Sequence, residues 1–72
     1  MTATLHSAYI RKRALRLAAA SSLSRVELAR ICYITRHHAS TVIRALRDAG
    51  EVRADRVEQP PMGPPITVYT SR

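Results

Sequence analysis

The chain has 72 residues, which allows one domain with a thin core, because a chain of this size buries only about 60% of its unfolded surface. Twelve Lys and Arg residues against five Asp and Glu residues give a formal charge of +7, which favours a polyanionic partner. So small a domain has little room for a buried catalytic cleft, and none of its nucleophiles is spaced with a base. We therefore expect no enzyme.

The type of cation also favours nucleic acid, because eleven of the twelve cations are arginine. The planar guanidinium group matches phosphate and guanine edges, whereas lysine acts as a point charge. A coding sequence rich in G and C would produce the same bias without any functional meaning, so this preference alone assigns no function.

The single cysteine, Cys32, cannot form an internal disulfide and lies at an apolar position, so we interpret it as a packing residue in a reducing cytoplasm. Neighbouring His37 and His38 would point about 100° apart on a helix, which disfavours a shared metal ion. We expect no metal and no other cofactor. Residues 11–22 mimic a secretory signal, but Arg16 interrupts an apolar run that is already too short, so we expect no membrane segment.

A first helix is predicted from about residue 6 to residue 20, after a frayed tail, because this segment is rich in Ala, Leu and Arg and lacks Gly and Pro. One face carries Ile10, Ala14 and Leu17 and is suited to pack against the following helices. A second apolar stripe consists of Leu5, Ala8, Leu15 and Ala19. Either a second copy covers this stripe, which would give a homodimer, or the rest of the chain does.

Residues 24–50 carry start and stop signals for two more helices. Ser24 and Glu27 have the spacing of a capping box, and the flanking Leu23 and Leu28 are placed to form a hydrophobic staple. A β-branched and aromatic break at 32–34 ends this helix early.

The next helix is predicted over residues 36–49. Thr35 offers its N-cap, and Gly50 can adopt the left-handed conformation that ends it. A turn of about 100° per residue gathers one apolar face, which consists of Ala39, Val42, Ile43 and Leu46. The opposite face is polar and consists of His37, Ser40, Thr41 and Arg44.

The last third of the chain is typical of a β-hairpin over residues 51–71. Val52 and Val57 lie in a first strand, and residues 66–70 form a β-branched and aromatic second strand. The loop at 59–65 contains four prolines and cannot continue a ladder. The same loop also fits a polyproline ligand for an aromatic groove, although Met62-Gly63 breaks the repeat.

Residues 24–50 resemble the helix-turn-helix family of DNA-binding proteins. Leu28-Ala29 supplies the apolar residue and the small residue that this family has in its first helix. Apolar residues follow at the expected positions, which are Cys32, Ile34, Ala39 and Val42. Tyr33 departs from the pattern, because the turn usually carries a glycine there. With the hairpin as a wing, the chain resembles a three-helix winged helix, such as the small transcriptional regulators of bacteria and their phages.

The resemblance implies sequence-specific binding of double-stranded DNA, with helix 36–49 in the major groove and wing 51–71 on the backbone or in the minor groove. The residues expected to contact DNA are Arg36, His37, Ser40, Thr41, Arg44, Arg47, Arg53 and Arg56. A solvated polar surface is the alternative interpretation of this face. Two other functions stay open: a protein-interaction module, and a factor that bends DNA with the proline loop as its wedge.

Overall fold

Three helices and one hairpin follow each other along the chain. The computed structural model describes the backbone of residues 2–72 and the side chains of residues 8–72. The elements are α1 (Thr2–Ala19), α2 (Arg25–Cys32), α3 (Arg36–Asp48), β1 (Val52–Glu58) and β2 (Ile66–Ser71). The fold is therefore mainly helical with a small β-hairpin, in the winged helix-like arrangement that the sequence predicts. The start of the first helix was predicted too late, since α1 begins at Thr2 and not near residue 6.

Side-chain oxygens cap the starts of α2 and α3. The Glu27 N–H donates to Ser24 Oγ over 3.1 Å, and the His38 N–H donates to Thr35 Oγ1 over 3.0 Å. Both predicted N-caps are confirmed. The capping box itself is only half formed, because the Glu27 carboxylate accepts hydrogen bonds from Arg30 one turn along the helix.

All three helices end at a residue with positive φ: Ser21 (55°), Tyr33 (55°) and Gly50 (76°). The residue after each of them donates its N–H to the carbonyl five positions back, over 2.9, 3.1 and 2.9 Å respectively. This bond is the mark of a Schellman motif, which satisfies carbonyls that the helix leaves unpaired. Tyr33 thus adopts the left-handed conformation at the position where the resembled family usually has glycine.

The core lies between the three helices and the base of the hairpin. Ile10, Ala14 and Ala18 of α1 are fully buried, while Leu17 packs at the edge of the core. The remaining buried residues of the core are Leu23, Leu28, Ala29, Cys32, Ala39, Ile43, Leu46 and Val52. Leu23 and Leu28 are both 0% exposed, as the predicted staple requires.

The hairpin is antiparallel, with Val52 opposite Ser71 at its base and Glu58 opposite Ile66 at its outer end. A register shift at position 55 interrupts the ladder. Leu23 pairs with Tyr69 as an isolated bridge, in which the Tyr69 N–H donates to the Leu23 carbonyl over 2.7 Å. No sequence pattern predicts this pairing, which ties the residues just before α2 to the hairpin.

Only the base of the hairpin closes over the helices. Val52 and Val68 are 1% and 3% exposed, and Val52 shares its core with Leu46, while Ile66 is half-buried. Every residue of β1 after Val52 is exposed, so the outer hairpin projects from the domain. No helix within residues 2–72 combines the length and the apolar character that crossing a lipid bilayer requires.

The left-handed turn at Tyr33 generates a stability prediction. An L side chain in this conformation costs about 1 kcal/mol or more, and the Tyr33 side chain is 94% exposed, so it gives little burial in return. We expect Tyr33→Gly to raise the free energy of unfolding by about 1 kcal/mol in urea denaturation. As the matched control, Gly50→Ala should lower it by about 1 kcal/mol, because a Cβ there meets only an ordinary contact at 3.7 Å and the φ of 76° is the cost. Destabilisation by Tyr33→Gly would contradict this account.

Candidate nucleic-acid interface

The outward face of α3 carries the polar residues that the sequence singled out. Arg36, His37, Thr41, Arg44 and Arg47 are exposed and Ser40 is half-buried, whereas the apolar side of the helix faces the core. The Thr41 hydroxyl donates to the His37 carbonyl over 3.1 Å, so its oxygen lone pairs remain for an incoming donor. This face is thus accessible along the whole helix.

A cleft of about 200 Å³ runs between α3 and β2. Its lining residues are Arg25, Ser40, Ile43, Arg44, Arg47, Thr67 and Tyr69. Three of these residues are arginines, two carry aliphatic hydroxyls and none is acidic. A concave site with several cations and hydroxyl groups, and no carboxylate in its lining, is suited to an anion such as phosphate.

Thr67 and Tyr69 were not among the predicted contact residues, and the cleft also contains Arg25. Arg25 is the first residue of α2, and its guanidinium donates to the Pro65 carbonyl over 3.3 Å, which holds it beside the hairpin. Thr67 and Tyr69 are two positions apart on β2 and therefore lie on the same face of the hairpin. Strand alternation predicts that they share a face, but only the Leu23–Tyr69 bridge decides that this face meets α3.

Ion pairs with the five acids determine which cations have no carboxylate nearby. All five acids of the chain lie within 4.0 Å of an arginine, and the four arginines involved are Arg11, Arg30, Arg47 and Arg56. Of the twelve cations, whose side chains all fall within residues 8–72, eight therefore have no carboxylate at this distance. Arg36 and Arg44 belong to these eight, so α3 exposes two cations that no carboxylate of the described residues neutralises.

The structure does not bring Arg53 and Arg56 to the α3 cleft. Arg56 bonds to Asp55 (2.9 Å), Glu58 (3.1 Å) and the Ser21 carbonyl (3.2 Å). The hydrogen bonds that Arg56 donates to the Asp55 and Glu58 carboxylates raise the pKa of its guanidinium above the ordinary value. Arg56 therefore ties the hairpin to the end of α1 and has few donors left for a ligand.

Arg53 is exposed but lies on the face of the hairpin away from α3. It pairs with Thr70, whose hydroxyl bonds to Ser21 Oγ over 2.8 Å and to the Ala18 carbonyl over 3.4 Å. Cross-strand partners share a face, so Arg53 lies on the α1 side of the hairpin. Arg53 and Arg56, which were predicted as DNA contacts of the wing, thus lie in different surroundings from the residues of the cleft.

The second stripe of α1 is only partly open. Ala8 and Ala19 are exposed, but Leu15 packs against the core of its own chain, and Leu5 lies outside the side chains that the structure describes. The described part of the stripe therefore offers little more than two methyl groups. The homodimer through α1 stays a prediction.

Cys32 lies in the core, which confirms the packing interpretation. The residue is 5% exposed and free, and burial raises the pKa of its thiol, an effect that the positive charge of Arg13 partly offsets. Among the residues that the structure describes, no group of three or more His, Cys, Asp or Glu side chains is placed to hold a metal ion.

The state of Cys32 can be tested by its reactivity. Because the nucleophile is the thiolate and the raised pKa keeps the thiol protonated at neutral pH, an aromatic disulfide reagent should react slowly with the native chain. We expect the rate to be about tenfold or more below that of the urea-unfolded chain. The absorbance of the released aromatic thiolate measures both rates. Equal rates in the two states would show that the thiol is accessible.

Comparisons with known proteins do not assign a family to this chain. No protein-family model, no curated protein and no solved structure matches it. The fold is therefore established by the elements themselves, and what the chain binds has to be inferred from the chemistry of its surface.

Proposed function

We propose that this protein binds double-stranded DNA sequence-specifically as a transcriptional regulator, with α3 in the major groove. The observation that carries the proposal is the cleft between α3 and β2, where Arg25, Arg44 and Arg47 meet with no acid in the lining. Duplex DNA carries one negative charge per about 1.7 Å of its axis, so a cationic cleft beside an exposed helix matches it electrostatically. We place this activity in the cytoplasm of a bacterium or of a phage-infected host, where a single buried Cys32 stays reduced.

The exposed face of α3 reads the bases in this proposal. Arg36 and Arg44 have no carboxylate partner, so either guanidinium is free to bond to guanine O6 and N7. His37, Ser40 and Thr41 supply further hydrogen-bonding groups on the same side of the helix. Phosphate and sugar contacts fix the position on the duplex, while these base-edge contacts give the sequence preference.

The cleft binds the DNA backbone beside that groove. Arg25 of α2 and Arg47 of α3 both line this cleft, and the Thr67 hydroxyl comes from the hairpin. A phosphate group between them would accept charge-assisted bonds from two directions. Arg53 lies on the other face of the hairpin and would contact the neighbouring backbone separately. If two copies associate through α1, their α3 helices would occupy half-sites about 34 Å apart.

Salt dependence separates DNA binding from a protein-interaction function. A chain that neutralises about six phosphates should lose about 10³-fold in affinity between about 50 and 200 mM salt, because binding releases counterions. Fluorescence anisotropy with a labelled 30-bp duplex, a length of about three helical turns, measures this loss. A nearly flat salt profile, or no binding at low salt, would contradict the proposal and favour a protein partner.

Two variants separate backbone contact from base reading. Arg47→Ala should weaken binding about equally on all sequences and reduce the salt slope by about 1, because it removes one phosphate contact. Arg44→Ala should relax the preference at one base pair, at a cost of about 1–3 kcal/mol on the preferred sequence.

Parallel selection of bound fragments from random DNA, followed by anisotropy on the selected duplex, measures both effects. Arg30→Ala is the matched control, because it also removes one guanidinium, but one that bonds to Glu27 away from the cleft. It should leave the salt slope and the selected sequence unchanged. If Arg44→Ala and Arg47→Ala both select and bind like the parent, α3 is not the reading helix.

A further inference from the structure

The tip of the hairpin lies in the longest stretch of the sequence that has no charged residue. No charged residue occurs from Gln59 to Ser71. The tip itself is Pro60-Pro61-Met62-Gly63-Pro64-Pro65, and the Met62 side chain is 89% exposed. An exposed methionine among prolines gains nothing from phosphate attraction, so a role for this tip has to use its apolar surface.

The tip is held in one shape by its own residues. Four prolines fix φ near −65°, and Gln59 Nε2 donates to the Gly63 carbonyl over 3.2 Å and to the Pro60 carbonyl over 3.4 Å. Gly63 has a φ of 106°, which closes the turn. A preorganised loop loses little conformational entropy on binding, so Met62 can be inserted at low cost.

The hairpin also carries the tip away from the core. Residues 53–58 are all exposed and span about 20 Å at about 3.3 Å per residue. Val52 is buried and fixes the base of this arm, while Arg25 donates to the Pro65 carbonyl at its outer end. Because Arg25 also lines the cleft proposed to hold the DNA backbone, the tip begins next to that cleft.

We propose that the hairpin tip inserts Met62 between base pairs in the minor groove, next to the major groove occupied by α3, and bends the duplex there. Methionine and proline are among the apolar side chains that unstack a base step when they enter the minor groove. Such insertion is easiest at flexible pyrimidine–purine steps, whose deformation costs least. This inference rests on the proposed DNA binding and adds a bend that phosphate contacts and base reading do not require.

The test compares one DNA sequence in two shapes. A minicircle of about 100 bp, shorter than the persistence length of DNA, is bent in advance and removes part of the bending cost. The intact chain should bind it about tenfold more tightly than the linear fragment.

A second measurement uses a linear 30-bp duplex, a length of about three helical turns, with 2-aminopurine at a central TA step. Its fluorescence should rise as the base unstacks. Met62→Ala should abolish both the preference for the circle and the fluorescence rise, yet still bind with the parent's salt dependence.

Val57→Ala is the matched control, because Val57 is 65% exposed on the same arm but does not lie at the tip. It should keep the preference for the circle and the fluorescence rise. Gln59→Ala, which removes the amide that braces the loop, should reduce both. Equal binding of the parent to circle and linear DNA, or a Met62→Ala variant that still bends DNA, overturns the proposal and assigns the tip to a protein surface. Loss of all salt-dependent DNA binding by the parent would instead overturn the proposed function itself.

Discussion

The pairing of Leu23 with Tyr69 is the contact on which the arrangement of this domain depends. The Leu23 side chain is fully buried in the core, while its backbone pairs with β2, so one residue joins the hairpin to the start of α2. That position turns Thr67 and Tyr69 toward α3 and forms the arginine-lined cleft. Besides this bridge, side-chain hydrogen bonds of Arg25, Arg56 and Thr70 attach the hairpin to the helices. These attachments matter because a two-stranded hairpin alone is marginally stable at best.

The helices were largely predictable from the sequence because their signals are local. Ser24 and Thr35 cap the helices that follow them, and Gly50 ends α3, since each of these residues bonds within a few positions of itself. The Leu23–Tyr69 bridge joins residues far apart in sequence and leaves no periodic signal. The early start of α1 was missed for another reason: no Gly, Pro or capping signal marks the place where it begins.

The candidate site, too, has features that follow from local sequence and features that depend on long-range packing. The polar face of α3 follows from helical periodicity, so its exposed residues were predicted correctly as a surface. The role of Arg56 could not be assigned from sequence, because its hydrogen bond to the Ser21 carbonyl joins residues 35 positions apart. Arg25 enters the site through the packing of α2 against the hairpin loop. Helical spacing alone predicts a face, but the partners of each arginine decide which charges remain for a ligand.

The proposed function requires that the α3 face and the adjoining cleft bind duplex DNA. An NMR titration of the ¹⁵N-labelled chain with a short duplex at low salt measures this binding residue by residue, because each backbone amide reports on its own surroundings. We expect the largest shifts on α3 and on the cleft, with Ser40, Arg44 and Thr67 among them. Shifts confined to α1, or a spectrum that the duplex leaves unchanged, would contradict it.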